Sequence, residues 1–254
     1  MSQFFTTILY QPIFNGFVAL YNLIPDVGVV ILIVTVITKL ILYPLNSKSI
    51  KSQKALNDLQ PKMEEIKKKF AGNQQTIAAE TMKLYKENKV NPMASCLPLL
   101  VQLPIFIALY YVLRNGLTDN NFELLYSFVK NPGTINTLSL GFFDLKTKSI
   151  VLAILAGAAQ FWQTKMMMRR QPPKSAGAGG KDEGMMAMMN KQMLYFMPFM
   201  TVLIGFQLPA GLSLYWFLST VLTALQQVLV FKKHDLGGPS ANVPGKGIIE
   251  GKVE

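Results

Sequence analysis

The sequence holds one cysteine, Cys96, and one histidine, His234. A single thiol excludes an intrachain disulfide. Together the two counts leave no basis for a His/Cys metal site or for a Ser-His or Cys-His catalytic set. Charge is scarce, at 15% of residues, and acids are scarcer than bases, 14 against 25. Residues 1–26 contain no lysine or arginine, so no signal-peptide n-region is evident. Hydrocarbon is what the chain has in quantity: half of its 254 residues are hydrophobic and the mean hydropathy is +0.29. That is the profile of an integral membrane protein. The net charge of +11 therefore reads first as topology, because cytoplasmic loops collect Lys and Arg, and nothing points to DNA.

A helix needs roughly 20 mostly apolar residues to cross a bilayer. Runs of that kind predict spans at 27–46, 93–114, 149–166, 192–208 and 212–231. The last two are parted by a tight turn at 209–211, where Pro209 lacks the helical N–H and Gly211 loosens the backbone. Loop 47–92 carries ten lysines against five acids, and residues 165–191 carry six basic residues against two acids. Loop 115–148 and residues 1–26 show no such excess. Five spans put both basic loops in the cytoplasm, with the N-terminus outside and the tail 232–254 inside. Residues 1–26 are apolar and aromatic but broken by Pro12 and Gly16. They predict an interfacial helix on the outer face, since a sixth span would invert the basic loops.

In loop 47–92, Leu56, Leu59, Met63, Ile66 and Phe70 step by three or four residues, and Ile77, Thr81 or Met82, and Tyr85 resume the period after Gly72-Asn73. That spacing gives each segment one apolar helical face and predicts a cytoplasmic helical hairpin; the plainer alternative is a helix pair that only connects two spans. The expected fold is thus an all-α integral membrane protein of five transmembrane helices, with a cytoplasmic hairpin and an N-terminal interfacial helix. Loop 167–191 combines the linker composition QPPKSAGAGGKDEG with flanking methionines such as Met167, Met185, Met188 and Met189. These either repack against varied apolar partners or simply fill the ends of the neighbouring spans.

The first span carries Lys39 within VVILIVTVITKLILYPL. A cation at a bilayer centre costs about 2.5 to 3.5 kcal/mol on insertion scales. Thr35, four residues earlier, shares its face. Other intramembrane polar residues are Thr38, Gln102, Gln160, Gln163, Ser213, Ser219, Thr220, Thr223, Gln226 and Gln227. No span contains an Asp or Glu to pair with Lys39. Such groups avoid lipid and face a bundle interior or water. Two readings follow: a wet cavity holding one positive charge that attracts anions, or a lysine that snorkels to the interface.

Several stretches resemble the YidC-type membrane protein insertases and their mitochondrial and chloroplast relatives, in the compact form without a large extracytoplasmic domain. They are TVITKLILYPL, LNDLQPKMEEIKKKF, Asn91-Pro92 followed by MASCLPLLVQLPIFIALYYVL, and LPAGLSLYWFLSTVLTALQQ. The resemblance implies a multi-pass protein of the inner or plasma membrane that needs no cofactor and is not an enzyme. It implies a hydrophilic groove open to the cytoplasm and to lipid, which receives nascent membrane proteins with short acidic tails. Lys39, where the family commonly has arginine, Thr35, Gln102, Gln160, Gln163, Ser219 and Thr220 would line that groove. Tyr215, Trp216 and Phe161 would form the slide for the substrate's apolar segment, and Leu59, Pro61, Met63, Ile66 and Tyr85 the cytoplasmic hairpin. The Sec translocon and the ribosome are the further partners it suggests. A small anion transporter or channel using Lys39 as its ion site is the competing function, disfavoured by the absence of an inverted repeat. An intramembrane protease would be left with only a Ser-Lys pair.

Overall fold

The structure, a computed structural model, describes residues 3–116, 122–141, 143–168 and 192–237. Most of the methionine-rich loop 167–191 and most of the tail 232–254 lie outside the described residues. Short turns at Gln3–Phe5 and Thr6–Tyr10 lead into helix α1 (Gln11–Leu23). Its buried face is Phe14, Asn15, Phe17, Val18 and Tyr21, the three- and four-residue spacing of an amphipathic helix.

Asp26 then caps α2 (Val27–Ile41), its side chain accepting from the N–H groups of Gly28 at 2.8 Å and Val29 at 3.1 Å. A carboxylate at this position satisfies donors that the first helical turn cannot. At Leu42 the chain bends by 66° into α3 (Tyr43–Asp58). Pro44 lies in the first turn of α3, where its missing N–H costs no helical bond. The 27–46 run is therefore two helices with a bend between them.

Helices α4 (Gln60–Lys69) and α5 (Gln74–Glu87) pack on one another as an antiparallel pair. Gly72, at φ +89°, supplies the left-handed turn, and Asn73 accepts the Thr76 N–H to open α5. Next comes α6 (Met93–Tyr111), extended by a π-helical turn at Val112–Gly116. The following loop contains a two-residue antiparallel pairing of β1 (Leu138–Ser139) with β2 (Phe143–Asp144). The last elements are α7 (Ile150–Met168), a π-helical turn at Gln192–Phe196, α8 (Met197–Gln207) and α9 (Ala210–Gly237).

Helix α7 packs against both α8 and α9, and α9 also packs against α2. Small residues permit the first contact: Gly157 of α7 lies against Val202 and the Pro198 carbonyl, and Gly205 of α8 lies against Ala153. Close approach through small residues is the usual way helices associate in lipid, where apolar side chains gain little by leaving their surroundings. Helix α6 leans on α3 at one end and on the N-terminal segment at the other.

Among the described residues, Ile150–Met167 and Ala210–Lys232 are long and apolar enough to cross a bilayer. The bent pair α2–α3 makes a third if taken as one span, while Leu100–Arg114 and Leu194–Gln207 are shorter apolar helices. The fold is thus mostly helical, with two to three helices of spanning length.

The two ends of the bundle differ. At the capped end, Phe14, Phe17 and Val18 of α1 join Val30 and Ile31 of α2, Leu109 of α6 and Leu212 of α9 in one large apolar core. At the hairpin end the buried apolar cluster is Ile50, Val230 and Phe231.

Candidate functional site

Between these ends runs a polar ladder on one face of α9. Tyr215, Ser219 and Thr223 are four residues apart, so each step is about 6 Å of helix. The Gln102 amide of α6 donates to the Tyr215 hydroxyl, which also shares a hydrogen bond with the Ser219 side chain. Thr223 donates its hydroxyl proton to the Ser219 carbonyl at 2.8 Å. The Thr223 oxygen in turn accepts from the Lys39 ammonium of α2 at 2.9 Å. Lys39 is half-buried, and its partner is a neutral hydroxyl. A half-buried cation held by a hydroxyl keeps most of its field available to a visiting anion, because among the described residues nothing of opposite charge is bonded to it.

The predicted residues divide around this ladder. Lys39, Gln102 and Ser219 belong to it. Thr35 is buried on α2, but its hydroxyl is spent on the Ile31 carbonyl of its own helix at 2.6 Å. Thr220 is buried on the neighbouring face of α9. Gln160 and Gln163 are half-buried on α7, and neither is hydrogen-bonded to Lys39 among the described residues. Tyr215 is 1% exposed, with its ring 6.3 Å from that of Phe106. It lies inside the bundle and is not on a lipid-facing surface. Trp216 is half-buried and meets Phe106 edge-on at 5.4 Å. Phe161 packs on Tyr195 at 6.0 Å, with the Lys165 ammonium 5.6 Å from its ring.

Two residues that the sequence reading gave no site role prove structurally informative. Thr223 is the partner of Lys39. Gln226, three residues on, donates to the Tyr43 carbonyl at 3.1 Å and to the Ser47 hydroxyl at 3.0 Å. It thereby fastens the bend between α2 and α3 to α9. Both stood among the intramembrane polar residues, and only the rotation of α9 against α2 distinguishes them from Ser213 or Thr220.

In the hairpin, Leu59 is buried at the junction of α3 and α4, while Pro61 is exposed in the first turn of α4. Met63 and Ile66 are half-buried, and the Tyr85 hydroxyl donates to the Met63 sulfur at 3.1 Å. Burial raises the Tyr85 phenol above its ordinary pKa. The hairpin's base is joined by the Ser52 hydroxyl donating to the Asn91 carbonyl at 2.9 Å.

At the capped end, Asp26 does more than cap α2. It accepts from the Ser139 hydroxyl at 2.6 Å and from the Leu140 N–H at 2.7 Å. Burial works to raise its pKa, but the bonds from Leu140, Ser139, Val29 and Gly28 outweigh that and hold it below the ordinary carboxylate value. Asn15 of α1 accepts the Tyr126 N–H at 2.6 Å and donates to the Leu124 carbonyl at 2.9 Å. The Tyr21 hydroxyl accepts the Asn136 N–H at 2.8 Å. The first turn of α9 is satisfied from the same loop, Ala210 N–H to the Thr147 carbonyl at 2.7 Å and Gly211 N–H to the Leu145 carbonyl at 2.9 Å.

Comparison with known proteins gives one consistent result. A family model described as "60Kd inner membrane protein" matches residues 19–236. The membrane protein insertase YidC of Fusobacterium nucleatum is 38% identical over 206 residues, covering 81% of this chain and 86% of that protein. The YidC of Oceanobacillus iheyensis is 38% identical over 209 residues, covering 81% of this chain and 74% of its own length. A crystal structure of an active YidC insertase with its first transmembrane domain resolved superposes with a TM-score of 0.57 at 26% identity. That match covers 91% of this chain, which spans 47% of the solved chain. On these matches the chain belongs to the 60Kd inner membrane protein family, the non-enzymatic family of the YidC membrane protein insertases.

Proposed function

We propose that this protein inserts membrane proteins into the bilayer, and that Lys39 is the cation that recruits them. The observation that carries the reading is the Lys39–Thr223 contact, which holds a half-buried ammonium beside a neutral partner. An acidic segment of a nascent chain supplies the missing negative charge, and the apolar segment behind it then moves into lipid. Burial of that segment, at about 25 cal/mol per Å² of apolar surface, drives the step without a cofactor or hydrolysis.

The full arrangement has five passes. The N-terminus and loop 115–148 lie outside, and the hairpin, the methionine-rich loop and the C-terminal tail lie in the cytoplasm. This topology rests on the lysine excess of loops 47–92 and 165–191. The well-packed capped end closes the polar ladder to the outside, while the hairpin end, whose buried cluster is small among the described residues, leaves it open to the cytoplasm. Gln102, Ser219 and Thr223 line the path, with Thr35, Thr220, Gln160 and Gln163 around it. Trp216 and Phe161 border the lipid-side exit, and Tyr215 acts from within the bundle by orienting Gln102. The Sec translocon and the ribosome are the partners to which the hairpin and the basic loops would dock.

Insertion of a single-span substrate with an acidic N-terminal tail into liposomes holding the purified protein tests this directly. Wild type and Lys39→Arg insert the substrate, and Lys39→Leu loses at least tenfold in rate. Equal insertion by Lys39→Leu would refute the role of the cation.

A further inference from the structure

Away from the polar ladder, at the capped end, a cavity of about 320 Å³ opens between α2, α7 and α9 beneath the β1–β2 turn. Leu32 of α2, Leu152 of α7 and Leu218 of α9 form its walls, and Leu140 and Phe143 of the turn roof it. The lining is almost wholly hydrocarbon. Leu32, Leu140 and Phe143 are also substantially exposed, so the cavity is open and not sealed. At the low end of ordinary ligand-pocket volumes, it has room for one slender apolar group and no more.

Its depth is set by α2. Val29 and Leu32 line it three and six residues beyond the Asp26 cap, about 5 to 9 Å along the helix. With α2 crossing the bilayer, that is the depth at which headgroups give way to acyl chains. The chain beside the lining carries two lysines and two acids, Asp26 and Asp144. Lys146 follows the lining residue Leu145, Lys148 precedes α7, and both side chains are exposed. The two acids nearby are already engaged. Asp26 holds the four donors described above, and Asp144 accepts from the Thr137 hydroxyl at 2.8 Å and the Lys146 N–H at 3.0 Å. Neither Lys146 nor Lys148 has an ion pair among the described residues.

We propose that this cavity is a binding site for an anionic phospholipid of the leaflet at the capped end, with one acyl chain beneath the β1–β2 turn and the phosphate against Lys146 and Lys148. Apolar walls retain the chain by removing its methylenes from water, and the two lysines select the headgroup. The bound lipid fills the space between α2, α7 and α9 that their side chains leave open. This inference needs α2, α7 and α9 to cross the membrane and is independent of whether Lys39 recruits substrates.

Photolabelling tests it. Purified full-length protein is placed in nanodiscs containing either phosphatidylglycerol or phosphatidylcholine with a diazirine in the acyl chain, and labelled peptides are mapped. Label is expected in peptides carrying 28–32, 139–145 and 214–218, several-fold above that on exposed residues of α7 and α8, and stronger with phosphatidylglycerol. Leu218→Trp and, separately, Leu32→Trp fill the cavity and reduce the label at least threefold; two variants guard against one failing to fold. Lys146→Gln with Lys148→Gln removes the preference for phosphatidylglycerol and leaves labelling by phosphatidylcholine unchanged. Label spread evenly over the lipid-facing helices, equal labelling by the two lipids in wild type, or a Leu140→Cys crosslink to a substrate helix with no acyl label there would overturn it. A protein that labels as described yet inserts nothing would count against the proposed function and leave the lipid site standing.

Discussion

The capped end and the hairpin end are built from the same helices and are held in opposite ways. At the capped end, α1 and the loop after α6 enclose a continuous aromatic and aliphatic core, and side-chain bonds from Asn15, Tyr21 and Asp26 stitch segments more than 100 residues apart. At the hairpin end, among the described residues, the cluster of Ile50, Val230 and Phe231, buried Leu59, the bend at Leu42, the Ser52–Asn91 bond and the contacts of Gln226 do that work. Segments with few buried contacts open at the lowest free-energy cost, and the proposed function makes use of the inequality, with the capped end placed outside and kept shut and the hairpin end placed in the cytoplasm to receive chains.

The sharpest way to break the comparison is at Gly28. A Cβ there would collide with the Ser139 side chain, so Gly28→Ala overfills the latch and destabilises the protein by about 1 to 3 kcal/mol, seen as a lower melting temperature in detergent. Gly16 of α1 has open space around its missing Cβ, so Gly16→Ala is expected to stabilise by up to about 1 kcal/mol. If both substitutions act alike, the capped end is not tightly packed.

Acid titration comes next. The Asp26 pKa is depressed in the folded protein, so its stabilisation is complete above its ordinary value of 3.8 and is lost as pH falls through the folded value. The melting temperature should hold from pH 7 to about 5 and fall below 4, and Asp26→Asn should reduce that acid limb while lowering the plateau by about 1 kcal/mol. At the other end, Gln226→Ala should broaden the distance distribution between spin labels on α2 and α3, with a loss of about 1 kcal/mol. The smallest effect is expected from Tyr85→Phe, which removes the bond to Met63 and costs about 0.5 kcal/mol. Hydrogen exchange should find α4 and α5 opening faster than α1 in every one of these variants.

Much of this was legible in the sequence. Lys39 announced itself because a charge among aliphatics is expensive, and the helical period of Leu59, Met63 and Ile66 marked α4. Partners were harder. The sequence offers Ser219, Thr220 and Thr223 within five residues, and each step rotates the side chain by about 100° around α9. Which one meets Lys39 depends on how α9 packs on α2, a tertiary fact. Tyr215 was expected on the substrate slide from the family resemblance, but its ring is buried and Gln102 satisfies its hydroxyl inside the bundle. The apolar run 27–46 read as one span, whereas the new helix beginning around Pro44 was hidden, because proline ends one helix and starts the next equally well. The β1–β2 turn gave no warning: it lacks an Asn-Gly signal and uses Leu140 and Gly141 at positive φ.

The Asp26 latch also sets a schedule. Its two partners across the fold are Ser139 and Leu140, 113 and 114 positions downstream. Translation at about 5 to 20 residues per second means the ribosome makes Ser139 about 6 to 23 seconds after Asp26. Through that interval the start of α2 is in place with its fastening incomplete, and α1 waits for the loop that will pin Asn15 and Tyr21. The protein's own biogenesis therefore passes through an intermediate whose capped end is unlatched, and the Asp26 latch is completed only after more than half the chain has been made.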